Sequence, residues 1–206
     1  MYRTFEGFAT LIEKEWIMYG HKFGQRYGHG RHVKKFKDSQ RSPIFIQFMD
    51  CVFQMIQQFP TSFEYNEKFL IAVCDAVFSN VFGNFLGDSD KERKKFNSEN
   101  CTVSLWSFLF SQKIFFSNPL YVQEDDHSVA ILPKFSRPII RLWQSYFLRY
   151  LPSKLSVFDG IDYKISNCIL FPVQVKIFFS FNFFILFLFL YYFFIFVFIL
   201  IIFQTY

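Results

Sequence analysis

Residues 4–30 read TFEGFATLIEKEWIMYGHKFGQRYGHG. Phe5, Phe8, Leu11, Ile12, Trp16, Tyr19 and Phe23 recur at steps of three and four, the spacing of one helix face. Glu13, Lys14 and Glu15 fall on or near the opposite, wet side. An amphipathic helix is therefore expected over residues 4–19, with its aromatic stripe packed in a core. The glycine-punctuated stretch 20–30, GHKFGQRYGHG, follows it and sets Lys22 and Arg26 four residues apart. On a helix that spacing places both cations on one face, a turn from each other. Such a pair suits an anion with several oxygens, phosphate foremost. The plainer reading of the same residues is a solvated helix end whose cations offset the C-terminal dipole.

Helical patterns continue outward from this stretch. Ser42-Pro43 offers a capping hydroxyl followed by proline at the first helical position. Ile44, Phe45, Phe48, Met49, Val52, Phe53 and Ile56 then form an apolar stripe that should stop before Pro60. Asn66 is placed to cap the next helix, with Phe69, Leu70, Val73, Val77 and Val81 on its buried side and Gly87 as its surest stop. Residues 88–100 are polar, with Lys91, Arg93, Lys94 and Lys95 together, and read as a solvated loop. Ser104 should cap a short helix carrying Leu105, Trp106, Phe108 and Leu109. Asn118-Pro119 marks a turn. Residues 129–132 form a short apolar run, read as a strand or an extended segment. Pro138 should open a last amphipathic helix through Ile139, Leu142, Trp143, Tyr146, Phe147 and Tyr150.

Composition narrows the classes. Of 206 residues 34 are Phe, and hydrophobic residues make up 52%, more than an ordinary soluble domain carries. The net charge of +5 would suit nucleic acid or an anionic membrane surface. No zinc-finger or RNP-type signature accompanies it, so no nucleic-acid partner is expected. The cation-rich segment 29–37 reads as a loop, in contact with acidic headgroups or simply solvated. His29 and His32 stand three apart without a third ligand, and the four cysteines lack metal spacing, so no metal and no cofactor is expected.

Several blocks along the chain resemble the myotubularin phosphatases. These are GFATLIEKEWIMYGHKFGQRYGHG, RSPIFIQFMDCVFQMIQQFPTSFEYNEKFL, FGNFLGDSDKER, TVSLWSFLFSQK with SNPLY, and RLWQSYFLRYLP. They run in the family's order at near-family spacing over roughly residues 2–155, and are closest to its active, muscle-type branch. The resemblance implies a phosphatase that removes the 3-phosphate from phosphatidylinositol 3-phosphate and the 3,5-bisphosphate. It also implies that Lys22 and Arg26, in the GHKF-x-x-R pattern, help bind the headgroup phosphates. The family often has Arg at the first of these positions. Lys keeps the charge but loses bidentate geometry. His21 could share that wall, though a structural imidazole is the simpler expectation.

In that family the nucleophile lies in a Cys-x5-Arg loop on the N-terminal side of the block GFATLIEKEW. The residues six positions after Cys51, Cys74, Cys101 and Cys168 are Gln57, Asn80, Ser107 and Gln174. None is Arg. Thiolate and guanidinium must act in one loop on the phosphoryl group. No catalytic residue is therefore assigned, and no turnover is expected from this polypeptide alone. The fold expectation is mainly α: residues 1–155 as the C-terminal portion of an α/β protein-tyrosine-phosphatase-like domain, whose sheet the family builds largely from residues before the nucleophile.

Residues 156–176 would be a junction. Residues 177–203 carry no charge and are long enough to cross a bilayer. Lys164 and Lys176 precede the run, which predicts a cytoplasmic, membrane-associated body on a C-terminal tail anchor. Translated T-rich non-coding sequence has the same composition, so the run has two explanations at this stage. The expected partners are phosphoinositide headgroups, a membrane and other myotubularin-family chains. The alternative from another class is a non-catalytic phosphoinositide-binding or scaffold protein.

Overall fold

The computed structural model describes residues 2–29, 40–123, 131–134, 136 and 138–150. The expected loop 30–37, the boundary at 155, the junction 156–176, the hydrophobic run 177–203 and part of the run 129–132 lie outside the described residues. So does the expected C-terminal hydrophobic helix. Among the described residues no helix is long and apolar enough to cross a membrane.

Among the described residues the fold is helical, with no strand and one isolated antiparallel bridge, Tyr65 to Ser117. The elements are α1 (Phe5–Leu11), a π-helical stretch π1 (Ile12–Met18), α2 (Phe23–Tyr27), α3 (Ile44–Gln58), α4 (Glu67–Ser79), a 3-10 turn (Gly83–Phe85), α5 (Asp90–Lys95), α6 (Ser98–Cys101), α7 (Leu105–Ser111), α8 (Lys113–Phe116) and α9 (Gln144–Phe147). The chain divides into two compact units, one running to Arg141 and a second starting at Leu142.

In the first unit, α4 is central and packs against α2, α3, α7 and α8. Asn66 caps it as expected, accepting from the Phe69 amide at 3.2 Å. It ends earlier than its glycines suggest. Asn80 takes the left-handed C-cap conformation at φ 57°, which Asn tolerates better than most residues. Val81 therefore lies beyond the helix and is exposed, not buried. The start of α3 also shifts by one residue. Pro43 is its N-cap, and the Gln47 amide donates to the Pro43 carbonyl at 2.9 Å. The stop before Pro60 holds, with Phe59 at the C-cap.

The core is two aromatic clusters joined by Phe48. In the first, Phe5, Phe8, Tyr65 and Phe69 meet at centroid distances of 5.0–6.1 Å. In the second, Trp16, Phe23, Phe45 and Phe85 do the same at 4.9–5.8 Å. Phe48 touches Phe8 and Trp16. Such pairs contribute about 0.5–1.5 kcal/mol each beyond the area they bury.

Polar clamps tie distant blocks to this core. Glu64 accepts from the Phe5 amide at 2.9 Å and pairs with Lys113 at 2.9 Å, so it caps α1 and holds α8. The Asn66 and Asn118 side-chain amides donate to the carbonyls of Phe115, Ser117, Pro60 and Phe63. That stitches the FEYNE segment to SNPLY. Gln54 and Gln58 each exchange two hydrogen bonds with backbone, at Arg141 and Lys134 respectively.

Three expectations change. The first helix does not run as α to residue 19. From Ile12 it winds as π, with backbone hydrogen bonds spanning five residues instead of four, so each turn is wider. Ile12 and Ile17, five apart, are both buried, and Tyr19 is 78% exposed instead of joining the stripe. The polar stretch 88–100 is not a loop. Ser89 caps α5 through the Glu92 amide, α6 follows, and Arg93 is buried. In the second unit the last amphipathic helix is reduced to α9, with Trp143 buried and stacked on Tyr146 at 4.8 Å, while Leu142, Phe147 and Tyr150 are exposed.

Candidate functional site

Gly20, at φ 82°, turns the chain out of π1, and a five-residue helix, α2, begins after Lys22. Its anchor is Phe23, fully buried against Phe45, Phe85 and the His21 ring. Burying one such ring contributes about 1.5–3 kcal/mol. The first turn of α2 is tied to the segment after the 3-10 turn. The Gly24 amide donates to the Gly87 carbonyl at 3.4 Å, and the Gln25 amide to Asp88 Oδ1 at 2.8 Å. The approach is close there: a Cβ on Gly24 would stand 3.1 Å from Asp88 Oδ1. At the other end Gly28 takes the left-handed conformation at φ 71° and closes the helix on the Gly24 carbonyl.

Lys22 and Arg26 fall at the N-cap and in the last turn of one short helix, α2. Lys22 is the N-cap, and its carbonyl accepts from the Arg26 amide at 2.9 Å. Lys22 is exposed and Arg26 half-buried. Arg26 Nη1 donates to the Gln40 carbonyl at 2.9 Å, which fixes one side of the guanidinium fork. The Ser42 amide donates to the Arg26 carbonyl at 3.3 Å, bringing the RSP segment alongside. The Arg41 guanidinium lies against Gly28, 3.1–3.2 Å from where a Cβ would stand. A third cation thus borders α2, and the sequence reading did not single it out.

His21 sits between the rings of Trp16 and Phe23, at 4.9 and 4.7 Å. Burial, with the nearby Arg26 charge, lowers its pKa to about 4. The imidazole is neutral at pH 7, so it adds no charge to the site. His29 is lowered too, again chiefly by burial. The Val77 carbonyl, Asp88 and the Phe85 carbonyl oppose the shift.

Cys51 and Cys74 are buried, and burial pushes the Cys51 thiol far from ionisation. Among the described residues no group of three His, Cys, Asp or Glu side chains could hold a metal ion.

Known proteins give this geometry its context. Residues 1–94 match the family model of the myotubularin-like phosphatase domain. Over 151 residues the chain is 48% identical to the phosphatidylinositol-3,5-bisphosphate 3-phosphatase MTMR2 of Gallus gallus and of Mus musculus. It is 46% identical to the myotubularin of Rattus norvegicus over the same length. This chain belongs to the myotubularin family. The matched stretch is 73% of the chain but only 26%, 23% and 24% of those three relatives. The chain therefore spans about a quarter of the length of the curated relatives it matches.

Lys22, Arg26, Arg41 and Asp88 all fall within the residues matched by the myotubularin model. Asp88 was missed because its partner, Gln25, is 63 residues away in sequence. Its place directly after Gly87, a residue with positive φ, was the one available signal. Glu13 falls on or near the wet side of the sequence pattern. In the structure its Oε1 accepts from Asn84 Nδ2 at 2.7 Å and from Trp106 Nε1 at 2.6 Å. That joins the EKEW segment, through α1 and π1, to the SLWS segment that opens α7.

Proposed function

We propose that this chain supplies the cationic, headgroup-facing wall of a myotubularin-type phosphoinositide 3-phosphatase acting on phosphatidylinositol 3-phosphate and the 3,5-bisphosphate. One observation carries the proposal: Lys22 and Arg26 stand one turn apart on a helix held rigidly by Phe23, Gly87 and Asp88. The relatives' printed activity, phosphatidylinositol-3,5-bisphosphate 3-phosphatase, fits an anion with separate phosphates. Lys22 would act as a point charge, and Arg26, held by Gln40, as an oriented fork. Both would bind and orient the substrate without transferring a proton.

Because its sequence holds no Cys-x5-Arg loop, the 206-residue polypeptide by itself binds headgroup and releases no phosphate. In that respect it would act as a phosphoinositide-binding member of its family, pairing with other myotubularin-family chains. The uncharged run 177–203 supports a place on the cytoplasmic side of a membrane.

The test is calorimetric titration with the water-soluble headgroup inositol 1,3,5-trisphosphate, which removes any contribution from bilayer partition. Lys22→Ala with Arg26→Ala should weaken binding by about 10–100-fold, two charge-assisted contacts to phosphate being lost. Lys22 is exposed, so Lys22→Ala alone should leave stability unchanged, whereas Arg26→Ala also removes the hydrogen bond to the Gln40 carbonyl. Equal affinity in wild type and double variant would refute the assignment, and phosphate release by the wild-type chain would refute its inactivity.

A further inference from the structure

Two large apolar side chains stand beside these cations without cover. Met18 is 77% exposed and Tyr19 78% exposed. They end π1 at the Gly20 turn, where the chain reverses, and Lys22 follows three residues after Tyr19. The backbone of this apex is already satisfied. The Tyr19 and Gly20 amides donate to the Ile17 carbonyl, and the His21 amide to the Trp16 carbonyl at 2.9 Å. An apex with paired amides can leave water at low cost, whereas unpaired ones cannot. From the buried side, Arg93 Nη2 also donates to the Ile17 carbonyl, at 3.4 Å, and braces the turn. The apex is thus a stiff projection carrying a thioether and an amphipathic phenol, side chains suited to the boundary between headgroups and acyl chains.

We infer that Met18 and Tyr19 form a bilayer-inserting knuckle that docks the Lys22–Arg26 face onto an anionic membrane. The inference rests on the headgroup reading above and adds the surface that presents the lipid.

Charge separates this apex from another exposed apolar pair, Ile114 and Phe115. Lys113 beside them is bound to Glu6 and Glu64. There the carboxylates already satisfy Lys113, and the remaining nearby cation, Lys68, lies over the Phe115 ring at 4.4 Å. Near the knuckle, Glu15 is paired with Lys14 at 3.3 Å, and Lys22 projects into solvent. Apolar insertion and phosphate attraction therefore point the same way at residues 18–26.

Hydroxyl-radical footprinting of the full wild-type chain tests this directly, since methionine and tyrosine are readily oxidised and only local contact protects them. The chain is oxidised alone, with phosphatidylcholine vesicles, and with vesicles that also contain phosphatidylserine and phosphatidylinositol 3-phosphate. Oxidation of Met18 and Tyr19, read in the tryptic peptide of residues 15–22, should fall severalfold on the anionic vesicles only. Ile114 and Phe115 should oxidise equally in all three samples. Unchanged oxidation at residues 18 and 19 overturns the inference, and so does equal protection of Ile114 and Phe115. The soluble-headgroup titration contains no bilayer, so a failed knuckle and a failed headgroup site give different results.

Discussion

Removing the Glu13 carboxylate should unfasten π1 from α7. Glu13 Oε1 accepts from Trp106 Nε1 at 2.6 Å and from Asn84 Nδ2 at 2.7 Å. Asn84 in turn accepts from the Leu105 amide at 2.9 Å, serving as the N-terminal cap of α7 in place of the Ser104 hydroxyl. A hydrogen bond to a charged group contributes about 1.5–3 kcal/mol net. Glu13 is partly exposed, so the lower end applies to each bond, and Glu13→Ala should cost about 3 kcal/mol. Most of this comes from leaving the nearly buried indole N–H of Trp106 without a partner. At roughly 2–4 °C per kcal/mol for a domain of this size, Tm should fall by about 6–12 °C. Glu13→Gln keeps one acceptor oxygen and should cost about half as much. The assay is urea unfolding followed by tryptophan fluorescence, extended to a double-mutant cycle with Trp106→Phe. The cycle should return a coupling of about 1 kcal/mol or more. A Glu13→Ala cost within 0.5 kcal/mol of zero, the range of an ordinary surface substitution, would show that the contact is only incidental to the fold.

Two further changes probe the site's support. Gly87→Ala forces a side chain into φ 72° and sets its Cβ 3.2 Å from Glu92 Cβ. It should cost about 1–3 kcal/mol and weaken headgroup binding, because the Gly87 carbonyl and Asp88 hold the first turn of α2; unchanged stability and affinity would refute that. His21 has a folded-state pKa near 4 against 6.5 for the free group, so the unfolded chain binds more protons between those values. Stability should be full above pH 6.5 and decline as pH falls toward 4. His21→Phe should make the decline of the urea midpoint from pH 7 to pH 5 shallower, with His29 contributing the remainder in the same direction. An identical pH slope in the variant would show that His21 is not held neutral.

Much of the helical framework is legible in the sequence because its signals are local. The Asn66 cap, the stop before Pro60 and the stripe of α3 each depend on residues within a turn or two. The placing of Lys22 and Arg26 on one short helix is legible for the same reason. What stays hidden depends on distant partners. Asp88 reaches α2 across 63 residues, Glu13 reaches Trp106 across 93, and Gln54 reaches Arg141 across 87. No periodicity encodes such contacts. Exposed charge and buried clamp use the same residue types, so Glu13 reads as a solvated side chain until Trp106 is placed against it.

The misreadings of Tyr19 and Arg93 share one cause. A period of 3.6 carries the stripe of α1 onward to residue 19, but the chain widens to a π turn at Ile12. The wider turn brings Ile17 inward and turns Tyr19 out, so the core keeps an aliphatic residue and the surface gains an aromatic one. It also puts the Ile17 carbonyl where Arg93 reaches it from below and the Tyr19 and Gly20 amides close on it from above. A buried guanidinium is costly unless its donors are met, and Arg93 has only the Ile17 carbonyl at 3.4 Å and Asp90 at 3.7 Å, with Nη1 unpartnered among the described residues. A helix of regular pitch would lose the reason for that burial along with the exposed Met18–Tyr19 apex. The irregular turn, the buried cation beneath it and the apolar residues beside Lys22 thus stand or fall together, which ties the proposed membrane contact to the fold and not to a chance surface side chain.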